Sequence, residues 1–345
     1  MTDALPEKPT SVLSVGKLPA ALLAQMLQRY AILDDRVAVG PGIGLDATAI
    51  DFGDRYLLAK TDPITFVAED IGYYAIHVNA NDIACSGGEP RWFLATLLLP
   101  EGETDETLVE RLFQQLHDAC AQLGVAFCGG HTEVTYGLDR PIVVGSMLGE
   151  VSKDELVTTG GARVGDDLIL TKGIAIEAAS IIAREKAEVL AERYSEELVE
   201  RARNFLRDPG ISVLQDARVA TEVGEVHAMH DPTEGGLATG LHELADAAGV
   251  GVKVWFDRIP MLPEAKLLCD EFGLDPLGTI ASGALLIAVA PETSERVVRA
   301  LKEAGIKAAV IGQVVPPEEG RQLVIDEQEV PLPRYDQDEI VRLFD

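Results

Sequence analysis

Gly42-Ile43-Gly44-Leu45-Asp46-Ala47, running on through Thr48-Ala49-Ile50-Asp51-Phe52-Gly53-Asp54, is the stretch on which the fold turns. Its opening fits the G-x-G-x-x-A pattern of a dinucleotide-binding loop, with Asp62 at about the spacing of a ribose-binding acid. Such a loop must open a helix, because the helix N-terminus is what holds the pyrophosphate. Here the following residues alternate over Ala49–Phe52 and break at Gly53-Asp54, which is the pattern of a strand and a turn. The dinucleotide reading is set aside.

Outward from that stretch the texture stays strand-like, with Val37–Val39 before it and Tyr56–Lys60 after it. Asp70 is placed to cap a helix from Ile71 to about Cys85, stopped by Gly87-Gly88. A strand over Trp92–Leu99 leads to a helix opened by Thr104, with Leu108, Leu112 and Leu116 as its apolar stripe and Gly124 as its end. Strands at Ala126–Cys128 and Ile142–Gly149 complete the first half. The turn-rich Thr158–Asp167 reads as a junction.

Beyond the junction come a strand at Leu168–Thr171 and a long charged helical region, Ile176–Leu206. Helices are expected near Val213–Val223, Gly236–Ala248, Pro263–Phe272 and Thr293–Ala304, with strands at Val252–Phe256, Ala284–Val289 and Ala309–Val314 and a short terminal helix. Helices and strands without strict βαβ alternation indicate an α+β fold. The expected division is a leader over 1–35 with a short helix near Pro19–Tyr30, a first domain over 36–157 and a second over 158–345.

The formal net charge of −28 over 345 residues repels phosphate backbones and anionic lipid, which argues against nucleic-acid and membrane-surface roles. Cys85, Cys120, Cys128 and Cys269 are scattered, without the paired spacing of a disulfide framework or a structural zinc site. Asp3 and Glu7 are wrong for a signal peptide, and the longest apolar runs are strand-sized. A cytoplasmic protein is expected.

Chemistry concentrates in a few acidic and amide side chains. Asp46 sits in a glycine-rich turn, and Asp62 ends a strand in Lys60-Thr61-Asp62-Pro63. Asn79 and Asp82 are three apart, hence on one helix face, with Asn81 displaced around it but within reach of an adjoining strand. Magnesium takes hard oxygen ligands, one or two carboxylates plus substrate phosphates, so convergent aspartates suit such ions on a triphosphate. The other reading is turn aspartates and a solvated helix face, and spacing alone does not choose. In Cys128-Gly129-Gly130-His131-Thr132-Glu133 two adjacent glycines free the backbone to approach a ligand, with His131 and Glu133 as metal ligands or plain loop polars. His230-Asp231-Pro232-Thr233-Glu234-Gly235-Gly236-Leu237 puts a carboxylate and a hydroxyl before a helix N-terminus, either a phosphate position or a cap and turn.

Taken in order, these motifs resemble the aminoimidazole ribonucleotide (AIR) synthetase, or PurM-like, superfamily, over about Arg36 to Val315. The series runs Gly-x-Gly-x-Asp-Ala, Thr-Asp-Pro, Asn-x-Asn-Asp-Ile-Ala with Gly-x-Glu-Pro, Gly-Gly-His-Thr-Glu and Asp-Pro-Thr-Glu-Gly-Gly-Leu. It is most similar to HypE-type and AIR synthase-related members. Leu274-Asp275-Pro276-Leu277 leading to Ser282-Gly283-Ala284 points the same way.

The resemblance implies two α+β domains, the second an α/β layered one, and a homodimer whose N-terminal strands form a barrel. It implies ATP with Mg2+, and phosphorylation of a small substrate, in some members followed by loss of water. Asp46, Asp62 and Asp82 would hold magnesium, with Glu133 in support. Asn79, Asn81, Gly129, Gly130, His131 and Thr132 would lie at the nucleotide, and Asp231 with Asp62 at the transferred phosphoryl group. Three departures stand out: Leu45 where kinase-like members carry an acid, His131 where they carry Asp, and no cysteine after Cys269, where HypE ends in one. The HypE route therefore looks closed from the sequence, as does that of selenophosphate synthetase, whose reactive N-terminal cysteine loop has no counterpart. Two functions stay open: an ATP-dependent enzyme on a small metabolite, or a non-catalytic nucleotide-binding accessory that works with a maturation protein in metallocentre assembly.

Overall fold

The computed structural model describes residues 16–344 apart from 33 and 66, so most of the expected leader lies outside the described residues. Its short helix is there as α1 (Ala20–Tyr30). The chain forms two α+β domains, each built on one sheet. The first is six-stranded, from β1 (Val37–Val39), β2 (Thr48–Asp51), β3 (Arg55–Ile64), β4 (Glu89–Pro100), β5 (Ala126–Thr135) and β6 (Ile142–Ser152), in the order β1-β2-β3-β6-β4-β5. All neighbours are antiparallel except β4 and β5. A strand does follow the G-x-G turn, which removes the helix that a dinucleotide loop requires. The sheet is open, so the barrel expected of a dimer is not formed within one chain.

Helix α2 (Ile71–Cys85) and helix α3 (Glu106–Leu123) cover one face of this sheet. Along β6 alternate residues Val143, Met147 and Val151 are buried, and Val144 and Leu148 on the other face stay half-exposed. The α3 stripe is as read, with Leu112 and Leu116 buried and Leu108 packed against them. Its cap, however, is Asp105, which accepts from the Leu108 amide at 2.8 Å, and Thr104 turns back to the Pro100 carbonyl. Helix α2 is apolar on nearly every side and is buried throughout except at Val78. Asp70 does not cap it. Its backbone is left-handed (φ 57°) and its carboxylate pairs with Arg184 at 3.3 Å and Arg207 at 3.0 Å, in the second half of the chain.

The second sheet is seven-stranded: β7 (Asp167–Thr171), β8 (Val226–His230), β9 (Gly251–Trp255), β10 (Leu286–Val289), β11 (Ala308–Val315), β12 (Arg321–Ile325) and β13 (Gln328–Pro331), in the order β13-β12-β9-β11-β7-β10-β8. Only β12 and β9 run parallel. The continuous apolar runs of β7 and β10 follow from burial on both faces. On one face Leu168, Leu170 and Ala288 pack on α8 (Gly236–Ala248); on the other Ile169, Met229 and Ile287 meet α7 (Leu214–Val223) and α10 (Pro291–Glu303).

The region read as one helix, Ile176–Leu206, breaks into α4 (Ile176–Glu185), α5 (Ala187–Arg193) and α6 (Glu196–Arg203) with a closing 3-10 turn; Ser195 caps α6. Helix α9 (Pro263–Phe272) packs against α4. Among the described residues no helix is long and apolar enough to cross a membrane.

Glu177 on α4 is buried at 5% exposure, and its Oε2 has no hydrogen-bond partner. Burial lifts its carboxyl from the usual 4.5 to about 8, against hydrogen bonds from Ser282. The fold keeps this proton where the unfolded chain loses it. The stabilising contribution is complete below pH 4.5 and is lost progressively up to pH 8. Glu177→Gln should therefore flatten the fall in unfolding free energy across that window, a change on the order of 5 kcal/mol. Urea unfolding at pH 5 and pH 8 checks this, and parallel curves for parent and variant would remove the assignment.

Candidate functional site

Four aspartates converge from four separate segments: Asp46 in the turn before β2, Asp62 on β3, Asp82 on α2 and Asp231 just after β8. Asp62 does not end its strand, since β3 continues to Ile64. Lys60, two residues away and so on the same strand face, places Nζ 2.9 Å from Asp82 Oδ1 and 3.4 Å from Asp62 Oδ2. Asp46 Oδ1 is 2.8 Å from His230 Nδ1, whose Nε2 is 2.9 Å from Glu243 on α8. Asp46 Oδ2 accepts from Thr159 Oγ1 at 3.0 Å. The Cys85 thiol donates to Asp231 Oδ1 at 3.4 Å, and Asp231 Oδ2 is buried without a partner. Lys17 lies 3.5 Å from Glu243 and 3.6 Å from Glu234 at the rim.

Acids outnumber cations in this cluster, and the titration behaviour follows. Burial works against charge on Lys60, yet Asp82, Asp62 and Asp46 hold its ammonium well above the usual lysine range. Burial pushes Asp82 far up; Lys60 opposes, while Asp231, Asp62 and Asp46 add to the rise. Asp231 is lifted to about 7 by burial and by Asp46, with His230 pulling the other way. His230, despite burial, is held well above its ordinary value by Asp46 and Glu243. Glu243 is drawn to about 2 by His230 and Lys17, against its own burial. A buried set of carboxylates with too few counter-charges is a receptor for added cations.

The amides support this cluster from within. Asn79 Oδ1 accepts from the Asp62 amide at 2.8 Å, and its Nδ2 donates to the Ala75 and Asp62 carbonyls, so the side chain is fully engaged in orienting Asp62. Gly145 on β6 makes room for it: a Cβ there would lie 2.3 Å from Asn79 Nδ2. Asn81 donates to the Ile211 carbonyl at 2.8 Å and accepts from the Val213 amide at 2.9 Å. Its partner is the segment leading into α7, not a strand. Both amides are buried and bonded to the backbone of the chain itself.

The Gly-Gly-His-Thr-Glu segment is not a loop but part of β5, at the sheet edge, separated from β3 by β6 and β4. Three strand spacings amount to about 14 Å, so His131, Thr132 and Glu133 stand apart from the aspartates of their own chain. His131 Nε2 and Glu133 Oε2 pair with each other at 3.1 Å on the surface. Gly130 (φ 145°) is required by packing, because a Cβ would fall 1.8 Å from the Ala95 carbonyl of β4; Gly129 meets nothing within 4 Å. At the start of α8 the expected anion is supplied by the protein: Asp338 Oδ2 accepts from the Gly235 amide at 2.6 Å, and Oδ1 from Ile280 and Ile340.

A cavity of about 1500 Å3 opens on the opposite side of α2 between Tyr73, His77, Arg207, Lys172 and Asp216, and none of the four aspartates lines it. Sequence reasoning named the aspartates and passed over Lys60, His230, Glu243, Thr159, Cys85 and Asp338. Lys60 left a local signal, the i, i+2 spacing with Asp62 on a strand, and so did Cys85, three residues on from Asp82 in α2. His230 adjoins Asp231, while Thr159, Glu243 and Asp338 come from other segments.

The chain belongs to the AIR synthase-related family: the family's N-terminal domain matches residues 44–151 and its C-terminal domain residues 163–325. The carbamoyl dehydratase HypE of Azotobacter vinelandii is 31% identical over 317 residues, which cover 88% of this chain and 85% of that protein. The hydrogenase maturation protein HypE solved in complex with ATP superposes with a TM-score of 0.70 at 25% identity, over 92% of this chain and 91% of that one. HypE in a HypE–HypF complex matches with a TM-score of 0.70 at 22% identity, over 83% and 93% of the two chains, and shows the fold alone.

Lys60→Met leaves Asp82 and Asp62 facing each other without their shared cation. The expected cost is about 3 kcal/mol in chelator, the low end for a broken buried pair because Asp62 is partly exposed. Added magnesium should recover part of it. Thermal unfolding with and without magnesium reads both effects, and a variant as stable as the parent would show that Lys60 does not neutralise the cluster.

Proposed function

We propose that this protein is an ATP- and Mg2+-dependent enzyme that transfers the γ-phosphoryl group to a small substrate. The observation that carries the reading is the meeting of Asp46, Asp62, Asp82 and Asp231 around Lys60 in a family whose HypE relative was solved with ATP. Phosphoryl transfer depends on positioning and charge neutralisation more than on a covalent nucleophile, and this cluster offers both. Asp46, Asp62 and Asp82 would hold magnesium, and their hard oxygens, together with the partnerless Asp231 Oδ2, fit that ion. Bound there, the ion would neutralise phosphate charge.

The chain's own residues divide the remaining work. Asn79 fixes the Asp62 backbone, Lys60 supplies a resident positive charge, and Lys17 adds another at the rim. Asp231, with a carboxyl at about 7, is suited to accept the substrate's proton near neutral pH. Asp62→Asn should lower ATP-dependent transfer roughly 100-fold or more, with the fold kept. Phosphate release and product formation measured across a substrate panel test this. Equal turnover in parent and variant would sink the assignment. ATP binding with no turnover in the parent would favour an accessory role with a maturation partner, as in the HypE–HypF complex.

The homodimer belongs to the same reading. β5 is a ten-residue edge strand, with Val134 56% exposed on it and Tyr136 85% exposed just beyond its end, and a long strand edge with unpaired backbone groups is a template for pairing. Pairing there would carry His131, Thr132 and Glu133 into a shared barrel. Val134→Lys should shift the protein to monomer in sedimentation velocity without lowering its thermal midpoint. A dimer that persists would move the interface elsewhere.

A further inference from the structure

We propose that Asp46, Cys85 and Asp231 form a binding site for a thiophilic divalent cation of the zinc, cobalt or ferrous class. One ligand atom from each lies within 4.8 Å of the other two, and all three residues are buried. Cys85 Sγ and Asp231 Oδ1 are 3.4 Å apart. A tetrahedral ion with a sulfur bond of about 2.3 Å and an oxygen bond of about 2.0–2.2 Å sets an S···O edge of about 3.5 Å, so the pair needs almost no movement to share one.

A separate observation points to an absent partner. Asp231 is 3% exposed, yet its Oδ2 accepts no hydrogen bond, and a buried carboxylate oxygen left so is costly. The third ligand is held from behind. His230 and Thr159 each touch one oxygen of Asp46, and every carboxylate oxygen retains a further lone pair for a metal.

The donor set decides the class of ion. Magnesium prefers oxygen ligands in octahedral geometry, and a thiolate adds nothing to its binding; zinc, cobalt and ferrous iron favour thiolate mixed with oxygen. Three protein ligands leave one position for a water or a substrate oxygen. On binding, the Cys85 S–H bond breaks and the S–metal bond forms, the proton passes to solvent, and the ion sheds water ligands. No redox change is involved. The inference shares Asp46 and Asp231 with the nucleotide reading but does not depend on ATP.

Cobalt(II) is the probe, added to the full chain stripped with chelator and free of nucleotide. The expected result is a thiolate-to-cobalt absorption band in the near ultraviolet that saturates at one ion per chain and survives a large excess of magnesium. Cys85→Ser should remove the band, and Asp231→Asn should weaken cobalt binding at least about tenfold. Cys128→Ser, which changes the exposed thiol, should leave the band in place. Circular dichroism and Mg-ATP calorimetry on the Cys85→Ser variant report whether the fold survives. No band, or a band that survives Cys85→Ser and disappears in Cys128→Ser, overturns the proposal. A cobalt band without ATP binding overturns only the nucleotide reading, and ATP binding without a band overturns only this one.

Discussion

The burial of α2 between the two sheets is the constraint on which the rest of the structure depends. A helix enclosed on nearly every side has no solvent face for its polar residues, so the chain must supply their partners; it does so for both amides, while the Tyr74 hydroxyl and both His77 ring nitrogens go without. Asn79 meets this by gripping the backbone of β3, and Asn81 by gripping the segment before α7. The two residues, two apart, tie the helix to both halves of the molecule. Asp70 does the same at the helix start through Arg184 and Arg207. Asp82 is thereby presented to Lys60 and Asp62 from a rigid element.

The same enclosure sets the electrostatics. A chain with a net charge of −28 can spread its acids over the surface at little cost, but here several are buried together. The fold answers with cations placed singly and at close range: Lys60 between two aspartates, His230 between Asp46 and Glu243, Lys17 at the rim. This compensation is partial. The remaining negative potential distinguishes the cluster from the larger cavity behind α2, where Lys172 and Arg207 already have carboxylate partners, Asp216 and Asp70.

Much of the fold was legible because its elements are locally consistent: the alternation after Gly44 excluded a helix, and the α3 stripe and Gly124 stop stand as read. What escaped was decided at longer range or by atypical punctuation. β8 is a short strand whose polar His227 and His230 mask its pattern, and the β12–β13 hairpin turns on Asp326-Glu327, left-handed residues without the usual glycine or asparagine. The aspartates could be named from motifs. The groups that hold Asp46 could not, because His230, its partner Glu243 and Thr159 come from segments more than a hundred residues away from Asp46 in the chain, and no local spacing encodes that meeting. Asn79 and Asn81 were legible as important, but only the structure shows them turned inward to the backbone.

The contact between Asn79 and Gly145 carries an implication for how such a sequence can drift. The amide fills the space a side chain at position 145 would need, and the empty position is what lets the amide reach β3. Neither residue can be exchanged alone without a clash or a hole. The two positions are therefore bound to change together, and across related sequences a larger residue at the strand position should travel with a smaller one on the helix.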